Sequence, residues 1–291
     1  MSIAWLKNRF TDLKYFIWLA KNRRCWKNSK HSLVPFVKYW ILYSIPRLVL
    51  GREKAPVTSR NIISRFQDKN LIIPLPISST NTYWIGLRDS GDFDTFREVC
   101  INDHYNYSRI EPGMTVVDVG AHIGTFTLLA SKRVGEEGKV IAIEPEIHNF
   151  QQLKKNLELN QIKNVTPINI ALSDFNGQKD FFITKGSGCH SFLAASGQEI
   201  IDKVKIKVKS LDTLMGELNI KRIDLLKIDA EGAELEILKG GKETLIKNPQ
   251  MKMVIAAYHS PQEASKVISY LKELNFSPKI LPGIFTLVIV E

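Results

Sequence analysis

Beyond residue 110, short apolar runs alternate with segments whose apolar residues recur at helical spacing. Apolar strands separated by amphipathic helices predict a parallel sheet that is covered on both faces. The last two strands are joined by a short Pro-Gly turn, so they form an antiparallel hairpin, because a parallel crossover needs a dozen or more residues. The predicted strands are 114–121, 139–145, 165–172, 223–230, 251–258, 277–281 and 285–290, and the predicted helices are 124–134, 149–160, 233–247 and 262–274.

An interruption at residues 181–210 separates the third and fourth predicted strands. Its outer parts alternate like a hairpin, and its tip, residues 186–191, is polar and rich in glycine. This composition is typical of loops that shape a substrate site, which makes His190 and Ser191 candidate substrate-binding residues. An inert surface turn is the alternative.

Residues 61–109 are predicted to form a lead-in of two short strands, 70–78 and 82–87, followed by a helix that begins at Asp92. Asp92 and Asp94 resemble the DxD pattern that holds a metal and a sugar nucleotide in some glycosyltransferases. Two acids at a helix start are more commonly a cap and a dipole partner, and we expect that role here.

Positive charge is concentrated in residues 1–60, which hold 13 Lys and Arg against Asp12 and Glu53. Residues 3–20 have the spacing of a basic amphipathic helix, and aromatic residues lie among its cations. Such a helix suits peripheral membrane association, and packing on the catalytic body is the alternative. The longest uninterrupted apolar part, residues 39–45, is too short to span a bilayer. We expect no secretory signal, because no small-residue cleavage site follows the first apolar run.

The expected location is cytoplasmic, with residues 1–60 as a peripheral contact to the inner face of the membrane. Cys25, Cys100 and Cys189 form neither a CxxC pair nor a disulfide framework, which favours a reducing compartment. Nucleic acid is not expected as a partner, because no recognition module accompanies the basic segment. The oligomeric state is left open.

Acidic and polar residues follow the predicted strands. In sheets of this kind the ligand lies beyond the carboxyl ends of the strands, so these residues are the candidate site. In strand order they are Asp118 and Gly120, Glu144, Ser173 and Asp174, Asp229 and Glu231, and finally His259.

The turn after the first strand reads DxGxxxG, from Asp118 through Gly120 to Gly124. A P-loop requires GxxxxGK[ST] and a dinucleotide site requires GxGxxG, and the turn matches neither pattern. Small residues let a cofactor approach the backbone, while nearby carboxylates favour a cationic ligand over a phosphate. S-adenosylmethionine, with its ammonium and sulfonium groups, fits that description.

Four segments together resemble the FkbM-type S-adenosylmethionine-dependent methyltransferases: VVDVGAHIGTFTLLA, IAIEPEIHNFQQLKKNLELN, IALSDFNG and IDLLKIDAEGAELEILKGG. The resemblance covers about residues 95–291. It implies a Rossmann-like class I methyltransferase fold whose seven-stranded, mostly parallel sheet has an antiparallel last strand. It also implies a methyltransferase domain at residues 110–291 and methyl transfer to oxygen.

By this resemblance, each candidate residue has an expected role. Asp118, Gly120, Ala121 and Gly124 would line the methionine part of S-adenosylmethionine, Glu144 would accept the ribose hydroxyls, and Ser173 and Asp174 would lie beside the adenine. Asp229 and Glu231 would face the methyl group. The candidate general bases, in order, are Asp229, Glu231 and His259. Simpler roles remain open: a helix cap for Asp118, a solvated acid for Glu144, a turn residue for Asp174, a helix-start acid for Glu231 and a structural histidine for His259.

Two positions depart from the family pattern. His122 stands where Asn is frequent, and Ala257 stands where Glu is frequent, two residues before His259. The second change removes a carboxylate partner of His259, so no metal requirement is expected. The expected activity is O-methylation of a sugar, glycolipid or related metabolite. The alternatives are an NAD(P)-binding oxidoreductase and a non-enzymatic membrane- or partner-binding module that keeps the fold.

Overall fold

The computed structural model describes residues 71–75, 83–184, 200–281 and 286–291. The basic N-terminal segment and the tip that contains His190 and Ser191 lie outside these residues. The described chain divides into two compact units. One contains residues 71–75, 83–104 and 155–161, and the other contains 105–154 and the described residues from 162 onward.

The smaller unit contains an antiparallel hairpin of β1 (Leu71–Pro74) and β2 (Trp84–Leu87), followed by helix α1 (Ser90–Phe96) and a π-helical turn (Arg97–Ile101). The predicted strands and helix are therefore present. The predicted start of the helix is wrong, because Asp89 is its N-cap and accepts a hydrogen bond from the Asp92 backbone. The Asp92 side chain is fully buried and binds Arg88 through two hydrogen bonds of 2.9 Å.

The larger unit contains, within its described residues, a seven-stranded sheet. Its strands are β3 (Thr115–Val119), β4 (Lys139–Ile143), β5 (Val165–Ile168), β9 (Leu225–Ile228), β10 (Lys252–Ala256), β11 (Lys279–Leu281) and β12 (Leu287–Val290). They lie in the order β11-β12-β10-β9-β3-β4-β5. β12 is antiparallel to β10 and to β11, and the pairs among β3, β4, β5, β9 and β10 are parallel. The predicted mostly parallel sheet with an antiparallel last strand is confirmed.

The core lies along the central strands of this sheet. Val117, Leu226 and Ile255 are fully buried, and burial of each such side chain contributes about 1.5–3 kcal/mol. The central strands are mostly apolar because both faces are covered, as the apolar runs predict, and Asp118 of β3 and Lys227 of β9 are buried polar exceptions. The helices are α2 (Thr125–Val134), α3 (Ile147–Leu159), α4 (Leu211–Glu217), α5 (Glu234–Gly240), α6 (Lys242–Lys247) and α7 (Glu263–Glu273).

Three predicted segments need correction. The predicted strand 165–172 is two strands, because β5 ends at Ile168 and β6 (Ala171–Leu172) joins a second sheet. The predicted helix 233–247 is two helices, which meet at Gly240 and Gly241. Helix α4 was not predicted, although Ser210 caps it by accepting a hydrogen bond from the Thr213 backbone.

The second sheet contains the predicted hairpin. β7 (Gly177–Thr184) pairs in antiparallel orientation with β8 (Ile200–Lys209), and β6 runs parallel to β8. In the part of the chain that is described, no helix is both long and apolar enough to cross a bilayer.

Candidate active site

The glycine turn lies between the end of β3 and the start of α2. Gly120 has a φ of +74°, and a Cβ at this position would collide with the carbonyl oxygen of Asp229. The amides of Gly120 and Ala121 both donate to the carbonyl of Ile143 at the end of β4. The turn therefore needs glycine at position 120, and it is held between the ends of the two neighbouring strands.

His122 also adopts a left-handed conformation, with a φ of 53°. Its backbone amide donates a 2.7 Å hydrogen bond to Oε2 of Glu144. Among residues other than glycine, Asn is one of those that enter this region most readily. Backbone conformation thus gives a physical reason for Asn at this position, and His122 meets the same requirement.

Asp118 is fully buried at the end of β3. Its carboxylate pairs with Nζ of Lys227 at 3.0 Å and accepts a 2.6 Å hydrogen bond from Thr127. Lys227 lies opposite Asp118 in the sheet and also donates to the carbonyl of Gly120 at 2.7 Å. The buried pair therefore fixes the backbone of the glycine turn.

Lys227 was not among the predicted site residues. A lysine within the apolar run LLKI is the sequence signal that indicates it, because a buried lysine needs a charged or hydrogen-bonding partner.

Glu144 follows β4 and is 5% exposed. Besides the His122 amide, its carboxylate accepts a 3.0 Å hydrogen bond from the Glu146 amide. Burial raises the pKa of Glu144 to about 7, although these backbone hydrogen bonds act in the opposite direction. Each carboxylate oxygen can accept a further hydrogen bond, which suits two adjacent hydroxyls.

Ser173 and Asp174 do not end the third strand of the main sheet, so their predicted position is wrong. That strand ends at Ile168, and the side chain of the next residue, Asn169, donates to the carbonyls of Glu144 and Pro145 at 2.8 and 2.9 Å. Ser173 is fully buried after β6, and its carbonyl leaves no room for a Cβ at Gly240. An apolar run with an Asn in its middle was the available signal that the strand divides here.

His259 brings together the acids of three separate segments. Among the described residues, four carboxylates lie within 3.8 Å of its ring nitrogens. Asp229 and Glu231 approach Nε2 at 3.5 and 3.8 Å. Glu234 and Glu263 approach Nδ1 at 3.4 and 3.5 Å.

The two sides of the imidazole differ in exposure. The side chains of Glu234 and Glu263 on the Nδ1 side are 0% and 7% exposed, whereas those of Asp229 and Glu231 are 19% and 29% exposed. Glu234 also accepts from the Ala230 amide, and Glu263 accepts from the His259 amide, each at 2.8 Å. Among the described residues, the carboxylates on the Nδ1 side are therefore buried, and those on the Nε2 side are the more exposed pair.

The acids determine the protonation of His259. Burial lowers its pKa, but the nearby carboxylates of Glu234, Glu263 and Asp229 outweigh burial and raise it to about 11. At neutral pH the ring is an imidazolium, which donates protons rather than accepting them. Burial raises the pKa of Glu231 to about 7.

Glu231 adopts a left-handed conformation, with a φ of 53°, in the loop between β9 and α5. Such strain in a residue other than glycine is typical of functional sites.

Tyr105 is a further residue that the sequence did not single out. Its hydroxyl donates to Oδ2 of Asp229, and its ring packs edge-on against Phe126.

Ala257, which stands where Glu is frequent in the family, is buried. Glu263 from α7 supplies a carboxylate to His259 from a different position in the sequence.

Comparisons with known proteins identify the family of this chain. A family model described as Methyltransferase FkbM domain matches residues 118–278. Methyltransferase 1 of Beauveria bassiana is 28% identical over 166 residues, which cover 50% of this chain and 65% of that protein. Hexuronic acid methyltransferase AglP of Haloferax volcanii is 29% identical over 166 residues, covering 56% of this chain and 63% of that protein.

A crystal structure of methyltransferase FkbM from Methylobacillus flagellatus is 18% identical, with a TM-score of 0.48, and the match covers 68% of this chain and 52% of that one. This chain thus spans less than two thirds of each of these three proteins.

Proposed function

The chain belongs to the FkbM methyltransferase family, and from this membership we propose that it transfers a methyl group from S-adenosylmethionine to a hydroxyl of a sugar-containing acceptor. One observation carries the proposal: Gly120 of the glycine turn packs directly on the backbone of Asp229. The turn suited to a cofactor and the acids suited to an acceptor are therefore neighbours.

The residues around the turn fit the cofactor. In this proposal Glu144 offers carboxylate oxygens to the ribose hydroxyls, and the turn that contains Gly120, Ala121 and Gly124 lies beside the methionine part. The carboxylates around His259 attract the ammonium and sulfonium groups. When bound, S-adenosylmethionine supplies a methyl group that is already activated for transfer. Asp118 acts indirectly in this proposal, because its carboxylate is occupied by Lys227 and Thr127.

Removal of the acceptor proton is assigned to the exposed side of the cluster. Asp229 and Glu231 are the two more exposed carboxylates of the cluster, and in this proposal either accepts the proton of the acceptor hydroxyl. His259, as an imidazolium, orients these two acids instead of serving as the base. Tyr105 holds the other oxygen of Asp229, which fixes the direction of the carboxylate.

A sugar acceptor is supported by the relative named for hexuronic acid methylation. A cytoplasmic site beside a membrane, where glycolipids are built, is supported by the basic residues 1–60. The oxidoreductase alternative is weakened by the missing GxGxxG spacing.

Isothermal titration tests the cofactor. We expect the full chain to bind S-adenosylhomocysteine and not NAD. Binding of NAD alone would favour the oxidoreductase, and binding of neither would favour a non-enzymatic module. The acceptor is then sought by mass spectrometry of cell glycans and lipids for products that gain a methylene in the presence of the enzyme. Mass gains confined to molecules without sugars would contradict the proposed acceptor class.

A further inference from the structure

The cluster around His259 carries more negative charge than its described surroundings neutralise. Asp229, Glu231, Glu234 and Glu263 all lie within 3.8 Å of the ring nitrogens. Across the described ranges, no Lys or Arg forms an ion pair with any of the four. A protonated ring offsets only one of these charges. Buried carboxylates are costly unless they are paired, protonated or bound to a metal.

Glu234 provides a second, independent indication. Its side chain is fully buried, and although Oε1 accepts from the Ala230 amide, Oε2 has no hydrogen-bond partner among the described residues. Oδ1 of Asp229 and both ring nitrogens of His259 likewise make no hydrogen bond to a described residue. A buried carboxylate oxygen without a donor calls for an ion or a water.

These atoms also lie together. One ligand atom from each of Asp229, Glu234 and His259 can be chosen so that all three are within 4.8 Å of one another. Ligands of one ion, each about 2.0–2.2 Å from the metal, lie at most about 4.4 Å apart. Binding of one ion would therefore draw the three side chains inward from their present separations.

We propose that Asp229, Glu234 and His259 bind a divalent cation. The ion takes the place of the ring proton of His259, because a histidine ligand is neutral. Two carboxylates and one imidazole form a mixed oxygen and nitrogen donor set, which suits Mn²⁺ or Zn²⁺ better than Ca²⁺. Three protein ligands leave a coordination position for a further oxygen. Glu231 and Glu263 lie beside the ligands and add negative charge that favours the cation.

The role of the cation rests on the proposed function. An acceptor hydroxyl that enters from the Nε2 side would occupy the remaining position and would become more acidic there. The absence of a metal requirement was expected from the sequence because Ala257 gives His259 no carboxylate. In the fold, Glu234 of α5 and Glu263 of α7 provide carboxylates to the same ring.

Mn²⁺ titration of the full chain tests the proposal. The protein is treated with EDTA, exchanged into metal-free buffer and titrated with MnCl₂, and free Mn²⁺ is followed by electron paramagnetic resonance. We expect one bound Mn²⁺ per chain and a loss of affinity of roughly tenfold or more in Glu234→Gln and in Asp229→Asn. Glu236→Gln is the matched control, because Glu236 lies on the same helix, is partly exposed and pairs with Lys179.

Thermal unfolding identifies which variants are folded. If only one of Glu234→Gln and Asp229→Asn folds, its Mn²⁺ affinity is sufficient to test the site. S-adenosylhomocysteine binding is measured on the same samples. If the wild-type protein binds S-adenosylhomocysteine but no Mn²⁺, the metal proposal fails and the proposed function stands. If it binds Mn²⁺ but no S-adenosylhomocysteine, the site stands and the proposed function fails. Mn²⁺ affinity that is equal in the wild type, Glu236→Gln and the ligand variants also overturns the metal site.

Discussion

Glu144 shows how the burial of one carboxylate can control ligand affinity. Its pKa is raised to about 7 by burial, so it is mostly protonated at pH 6 and mostly ionised at pH 8. The ionised form accepts hydrogen bonds at both oxygens, whereas the protonated form loses part of that capacity. We therefore expect S-adenosylhomocysteine to bind about tenfold more weakly at pH 6 than at pH 8, as isothermal titration would measure.

The control for this prediction is Glu144→Gln, which cannot ionise. Its affinity should be lower at pH 8 and nearly constant between pH 6 and pH 8. If this variant keeps the wild-type pH dependence, another group controls binding and the assignment of Glu144 to the ribose is wrong.

Asp229 has a different expected effect, because it lies on the acceptor side of the cluster. Asp229→Asn should leave the S-adenosylhomocysteine affinity near normal while lowering turnover by roughly 10²-fold or more, since an amide cannot accept the acceptor proton. Methyl transfer from labelled S-adenosylmethionine, compared with Glu236→Gln, provides the measurement. Unchanged turnover would reject Asp229 as the base and would leave Glu231.

The glycine turn between β3 and α2 depends on backbone conformation. Gly120→Ala forces a left-handed residue with a side chain against the Asp229 carbonyl, which should lower the free energy of unfolding by more than about 2 kcal/mol. Gly216→Ala is the contrasting substitution, because Gly216 lies in α4 with no atom within 4 Å of a new Cβ. There we expect a gain of up to about 1 kcal/mol.

Urea denaturation of both variants measures these changes. Equal stability of Gly120→Ala and the wild type would show that the turn can move away from Asp229, and it would weaken the argument that joins the cofactor turn to the acids.

At the scale of the whole molecule, residues 1–60 differ from the rest of the chain in their excess of positive charge. The full chain should float with vesicles of phosphatidylglycerol and phosphatidylcholine at low salt, and less so at high salt, because charge attraction is screened. A chain without residues 1–60 should stay in the soluble fraction, and S-adenosylhomocysteine binding checks that it is folded. Equal flotation of the two chains would end the membrane hypothesis.

Much of the fold follows from local sequence. The apolar runs of the central strands and the helical spacing of 262–274 predict elements that the structure contains, because burial on both faces of a sheet leaves a continuous apolar run. The short connection before the last strand required the antiparallel hairpin. Two predicted elements were wrong. The predicted strand divides near Asn169 although its apolar run continues, and the predicted helix divides after Gly240, where the Ser173 carbonyl leaves no room for a side chain.

The sequence by itself predicted the central strands, most of the helices, the DxGxxxG turn and the acids near the strand ends, because these are properties of neighbouring residues. Only the tertiary structure decided which of those acids meet. It paired the Asp118 carboxylate with Lys227, and it placed the carboxylates of Glu234 and Glu263 together at Nδ1 of His259. Contacts between residues that are distant in the chain depend on the register of the sheet and on where helices pack, and single-sequence patterns do not record either.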